Sequence, residues 1–294
     1  MVNFYIPDFV NNAVAICLLA DLMEGCPQWF YEDSRISAAY GSFGSCIWNG
    51  GRVFLARNDS RDMEKIIKSF NDRNIAVRYT FTNPLIEEKH LNDTFGNLCL
   101  ELANNGMNEV IVNVPILEQY IRENYPNFRL ISSTTKCINT LDGLKNELEK
   151  DYYLVVADSV WNNTDELFAL ENKEKIELII NHACRDNCPM RKVHYNDIGN
   201  SVLNFRSSSF VCPNKVYEAT FDDLKAHKNF ISIEDIHGRY KEAGFHHMKM
   251  DGRSFTPNTL VENLAYYLVK PEFQEKVKSI LFKEVYNKLN LTSC

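Results

Sequence analysis

The densest chemistry in this chain lies between Ile176 and Tyr195, in the stretch IELIINHACRDNCPMRKVHY. A short apolar run ends at Asn181-His182, and Cys184 and Cys188 follow at a C-x3-C spacing. Pro189 breaks the chain, and Arg191, Lys192, His194 and Tyr195 come directly behind it. An unperturbed imidazole titrates near neutrality, so His182 and His194 are candidates for moving protons. Arg191 presents a planar fork that matches a carboxylate, and Lys192 a second positive charge. Arg253, in Asp251-Gly252-Arg253, is a further guanidinium of this kind, with a salt bridge to Asp251 or Glu234 as its competing role.

The thiols raise a separate question. The sequence contains nine cysteines and no convincing export signal, because the apolar run Ala13–Leu22 lacks a basic flank and is cut by Asp21. A cytoplasmic, reducing compartment is expected, where cysteines are thiols or metal ligands more often than disulfides. Cys17 and Cys99 fall in apolar helical patterns and are expected to be buried, while Cys294 ends the chain. Cys46, Cys137, Cys184, Cys188 and Cys212 are the informative ones. Thiolates gathered at one place select zinc or an iron–sulfur cluster. The spacing leaves three outcomes open: a cluster, a zinc, or unligated thiols. A radical S-adenosylmethionine motif fails at Arg191, where a third cysteine is needed. Neither a G-x-S-x-G elbow nor an H-E-x-x-H helix occurs, which removes the usual serine hydrolases and zincins.

These residues need elements to carry them. Short apolar runs alternate with helical patterns along the chain. The runs are 36–40, 76–80, 109–113, 128–132, 153–157, 176–180, 229–233 and 246–250. Helical patterns lie at 62–71, 87–103, 116–124, 141–149, 164–170, 217–225 and 235–243, and two more at 258–269 and 272–289 close the chain. Strands alternating with helices imply βαβ units, and eight of them imply a (β/α)8 TIM-type barrel. One domain is expected over residues 1–294: a lead and helix over 1–30 with Asp8 as N-cap, the barrel over 36–270, and a C-terminal helix over 271–294. The lead is expected to cover one end of the barrel. The long connection 183–228 is expected to carry function, because barrel active sites form at the C-terminal ends of the strands. All five cysteines then share one end. Counting strands makes Cys137 the better fourth ligand beside Cys184, Cys188 and Cys212, with Cys46 the alternative.

Bulk properties narrow the partners. The net charge of −7 argues against a broad nucleic-acid or anionic-membrane surface. No run of about eighteen apolar residues is present to span a bilayer.

Two stretches together resemble the collagenase-like peptidase U thirty-two family. One is Asn181–Tyr195; the other is His247-Met248-Lys249-Met250-Asp251-Gly252-Arg253 with the helical pattern behind it, similar to an F-K-[IL]-E-G-R motif. The resemblance implies a (β/α)8-type barrel and, in several branches, a four-cysteine [4Fe–4S] cluster at its mouth. Although named as peptidases, branches of that family act in oxygen-independent hydroxylation or RNA modification. By resemblance Cys184 and Cys188 match the cysteine pair, Cys212 a later cluster cysteine, and Asp251 and Arg253 the Glu and Arg of the late motif, with Asp in place of Glu. The leading expectation is a barrel enzyme with a cluster on Cys184, Cys188, Cys212 and Cys137. His182 and His194 move protons in it, and Arg191 and Arg253 orient an anionic group of a small-molecule, peptide or macromolecular substrate. A zinc-dependent or metal-free peptidase, and a non-catalytic binding barrel, are the alternatives.

Overall fold

The computed structural model describes residues 1–182, 184–185, 188–212 and 219–291, the stretch 285–291 as helical backbone only. Eight parallel strands close into a barrel in sequence order: β1 (Val2–Pro7), β2 (Ser34–Gly41), β3 (Ala76–Phe81), β4 (Glu109–Val112), β5 (Arg129–Ser132), β6 (Leu154–Val156), β7 (Ile176–Ile179) and β8 (His247–Lys249). The closing seam pairs β1 with β8 at Asn3–His247 and Tyr5–Lys249. The intervening helices are α1 (Ala13–Gly25), α2 (Ser60–Asn71), α3 (Thr94–Ala103), α4 (Pro115–Asn124), α5 (Leu141–Leu148) and α6 (Asp165–Phe168). Between β7 and β8 come α7 (Arg191–Leu203), α8 (Phe221–Lys225) and α9 (Ile233–Asp235), and after β8 come α10 (Pro257–Leu268) and α11 (Gln274–Leu291).

The period-two alternation of a strand sorts the residues into two cores. Val77, Tyr79 and Phe81 of β3, Val110 and Val112 of β4, Leu178 of β7 and Met248 of β8 face the helices in the larger apolar cluster. Tyr5, Ala38, Tyr40, Ala76, Ile111, Ile131 and Ile179 fill the smaller cluster. The intervening positions Arg78, Glu109, Glu177 and Lys249 are buried charges.

The barrel stands, but its first strand is not where the repeat places it. Val2–Pro7 does not cover an end; it is β1, wedged between β2 and β8. Asn229–Ile233 is not a strand. Ile231 does hydrogen-bond to Ile180 O at 2.9 Å, but Ser232 then caps α9 by accepting from Asp235 N at 3.0 Å. The buried Ile231 and Ile233 serve that packing. Asp8 is not an N-cap: it sits at φ 65° and accepts from Asn11 N at 3.0 Å, one turn before α1 begins. The pattern over 87–103 is broken by Asp93, which caps α3 through Gly96 N at 2.6 Å. The start of the 217–225 helical pattern (Tyr217 and Glu218) and Cys294 lie outside the described residues. Among the described residues no helix is long and apolar enough to cross a membrane.

Candidate functional site at the barrel mouth

Helix α7 does most of the positioning. It follows β7, yet its Gly199 packs on Asn83 just beyond β3, on the far side of the barrel. Asn83 Nδ2 donates to Gly199 O at 3.2 Å, and a Cβ on Gly199 would stand 2.4 Å from Asn83 Oδ1. The helix therefore lies across the C-terminal ends of the strands, with Arg191, His194 and Tyr195 in its first turns. Its sequence has no clear apolar stripe, which is why this stretch reads as a loop rather than a helix.

The two motif stretches meet at the ends of β7 and β8. Asn181 donates to Asp251 O at 3.0 Å and to Asn263 at 2.8 Å, and accepts from Asp251 N at 2.6 Å. That clamp brings His182 Nδ1 to 3.1 Å from Asp251 Oδ2. Burial opposes a charge on His182, but its hydrogen bonds with Asp251 and Cys184 outweigh burial and lift its pKa to about 9. Burial likewise raises Asp251 and Cys184, but His182 more than offsets it: the carboxyl is held well below the usual range and the thiol below its ordinary value. At neutral pH His182 is thus an imidazolium, a donor rather than a base. His194, half-buried and stacked on Phe210 at 4.4 Å, is pushed down by burial and by Arg52.

Three cavities with shared walls open here. The innermost, about 80 Å³, lies on the barrel axis and is lined by Lys249, His182, Asp251, Arg253, Arg52 and the hydroxyls of Tyr40, Thr80 and Tyr195, among others. The second, about 410 Å³, shares Arg52 and Tyr195 with it and is walled by Cys184, Cys188, Cys212 and His194. The third, about 210 Å³, shares Cys188 and Arg191 with the second and holds Cys137, Asp158 and Lys192.

The residues singled out from the sequence thus meet at one end, with two exceptions in role. Arg191 is an ion-pair partner of Asp158 at the end of β6, which satisfies its charge. Cys46 is buried in the apolar layer beside Cys99, away from the cavities, so it is unsuited to be a fourth ligand. Cys99 is buried as expected; Cys17 is half-buried and donates to Ser69 Oγ at 3.7 Å. Arg253 pairs with neither Asp251 nor Glu234. Its guanidinium donates to Thr80 Oγ1 at 3.0 Å and to Gly50 O at 3.1 Å.

Sequence reasoning missed Arg52 and Lys249. Arg52 follows Gly50-Gly51, and both glycines are needed. A Cβ on Gly50 would stand 2.5 Å from the Thr82 backbone, and one on Gly51, at φ 75°, 2.6 Å from Arg253 Nη2. A glycine pair forced into contact with a strand end was the available signal. Lys249 sits inside the late motif; burial lowers its pKa to about 8, against the pull of Glu177 at 3.2 Å.

Does this site suit a cluster? The donor type fits: three thiols of one connection wall one cavity, and Cys188 is shared with the cavity of Cys137. The thiols are not drawn to a common point. Among the described residues no three His, Cys, Asp or Glu side chains form a group that could hold a metal ion.

Known proteins share parts of this chain's sequence and fold. No family model matches the chain. An uncharacterized protease, MJ1657, of Methanocaldococcus jannaschii is 24% identical over 228 residues, covering 66% of this chain and 65% of that protein. The alignment therefore spans slightly under two thirds of the relative's length. The solved structure of the U32 peptidase Mk0906 superposes with a TM-score of 0.53 at 12% identity, covering 86% of this chain and 94% of that one. The chain is thus similar to a U32 peptidase in fold and to an uncharacterized protease in sequence.

Proposed function

We propose that the chain is an iron–sulfur enzyme of the U32 peptidase-like type, acting on an anionic substrate at the barrel mouth. One observation carries the reading. Cys184, Cys188, Cys212 and Cys137 line two adjoining cavities, one of which shares Arg52 and Tyr195 with a third that holds Arg253. Those four thiols would hold the cluster, which when bound supplies one-electron chemistry without oxygen. Arg253, fixed by Thr80 and Gly50, orients the anionic group. His182, held charged by Asp251, donates a hydrogen bond or a proton into the axial cavity. His194, whose pKa is lowered, is the group able to accept a proton at the thiol-lined wall. The test is iron, zinc and acid-labile sulfide on protein purified without oxygen, with its visible spectrum. Iron and sulfide in equal amounts are expected, and Cys184→Ser and Cys188→Ser should each lose both. No iron after reconstitution, or both variants retaining it, ends this reading.

A second reading has its own observation. Asp251, His182 and Cys184 form a carboxylate–imidazolium–thiol series in which His182 lowers the thiol's pKa, the arrangement that activates a cysteine nucleophile. It predicts a metal-free peptidase, inactivated by alkylation at Cys184 alone. Metal-free protein that cleaves peptides and loses that activity on such alkylation would establish it over the cluster.

A further inference from the structure

The axial cavity carries more positive charge than its neighbours can neutralise. Of its charged lining, His182 is matched by Asp251 and Lys249 by Glu177. Arg52 and Arg253 remain. Among the described residues neither is in an ion pair. Arg52 donates to Ser254 Oγ at 3.0 Å and to Gly51 O at 2.6 Å, and Arg253 to Thr80 and Gly50. All of these acceptors are neutral. Two guanidiniums in one cavity, with Asp251 held by His182 and no carboxylate in direct contact with either among the described residues, are costly in a partly desolvated site. Burial and the charge of Arg52 lower the Arg253 pKa, and together they outweigh the pull of Tyr40, Asp251 and Asp8. The glycine pair makes the crowding possible, since side chains at 50 and 51 would collide with Thr82 and with Arg253 itself.

We infer that the axial cavity is a binding site for a small dianion, a short dicarboxylate or a phosphate group, clamped between Arg52 and Arg253. The inference deepens the reading above, from which it takes the anionic group at Arg253, and it does not need the cluster. Two unmatched positive charges call for two negative ones. A volume of about 80 Å³ admits a small organic acid or a phosphoryl group, not a polymer chain. Tyr195 also lines the wall and brings a phenol hydroxyl, which suits a ligand with further oxygen atoms, whereas the Tyr40 hydroxyl is already donated to Met250 O and the Thr80 hydroxyl to Asn49 Oδ1.

The experiment is titration calorimetry on the full chain with malonate, inorganic phosphate, acetate and imidazole as probes. Malonate or phosphate should bind more tightly than acetate, and imidazole not at all. Binding of malonate but not phosphate identifies a dicarboxylate site, and the reverse a phosphoryl site. Arg52→Gln should weaken the bound dianion at least about tenfold, the loss of one charge-assisted bond, and Arg52→Lys by less. A Thr80→Val variant, which removes a neutral partner of Arg253, checks that weakening does not follow from any change at the mouth. Its loss should be smaller than that of Arg52→Gln. Equal affinity for acetate and malonate, no binding of either dianion, or unchanged affinity in a folded Arg52→Gln overturns the inference. Iron and sulfide are read on the same samples. Arg52→Gln should keep the metal content of the parent, and Cys188→Ser should keep dianion binding, so this site and the cluster fail separately.

Discussion

The barrel interior is charged from base to mouth, and its two ends treat charge differently. From the base upward, Arg129, Glu109, Arg78, Glu177 and Lys249 alternate in sign. Arg129 meets Glu109 at 2.6 Å, Glu109 meets Arg78 at 2.7 Å, Arg78 pairs with Glu177, and Lys249 lies 3.2 Å from Glu177. The Arg78 guanidinium also lies 3.8 Å from the Tyr5 ring centroid. Burial opposes its charge, but Glu109 and Glu177 overcome that and raise its pKa. A fold that buries ions at its base has paired each with an opposite. At the mouth, Arg52 and Arg253 stand against neutral oxygens, and thiols face open space. Matched buried charge is architecture; unmatched charge is a demand for a ligand.

That contrast can be broken at the base first. Arg78→Met should cost about 3–5 kcal/mol of stability, because it leaves Glu109 and Glu177 buried without their shared cation. Denaturant unfolding measures it, and a loss under about 1 kcal/mol would mean the ladder is not structural. The next effect separates the cysteines. Cys46→Ser should cost about 1–3 kcal/mol by burying a hydroxyl in an apolar layer, with metal content unchanged. Loss of metal in that variant would return Cys46 to the ligand set. Comparable in size is a pH effect at the base. Burial lowers His247 from 6.5 to about 4, so over that range the unfolded chain takes up a proton that the folded chain refuses. Stability should therefore be full above pH 6.5, fall as pH drops towards 4, and change no further below that through this group. Replacing His247 with Gln should flatten that part of the melting-temperature profile; an unaltered slope would assign it elsewhere. The smallest change is expected at the mouth, where Arg52→Gln should shift stability by less than about 1 kcal/mol while its ligand binding drops.

How much of this could be read from the sequence depends on the residue. The strands that alternate with clear amphipathic helices were legible, because period two and period 3.6 differ over a handful of positions. Val2–Pro7 was not, since nothing helical precedes it and a six-residue run at a terminus has no neighbour to imply pairing. Asn229–Ile233 misled for the opposite reason: two buried isoleucines look the same whether a strand or a helix start buries them. His182, Cys184, Cys188 and Asp251 were legible as chemistry because they are dense and close to motifs. Arg52 and Lys249 were not, since each is an ordinary basic residue until its neighbours are known.

By itself, then, the order of residues determined the repeating βα units, hence a parallel closed sheet, and which loop carries the thiols and imidazoles. These are local properties, set by side-chain periodicity and by residue type. Only the tertiary structure decided that Arg191 is taken by Asp158 while Arg253 and Arg52 are not. It alone also placed Cys46 in the apolar layer and Cys137 beside Cys188. Whether a charge is neutralised or a thiol exposed depends on atoms brought together across the barrel, from positions that no local pattern links.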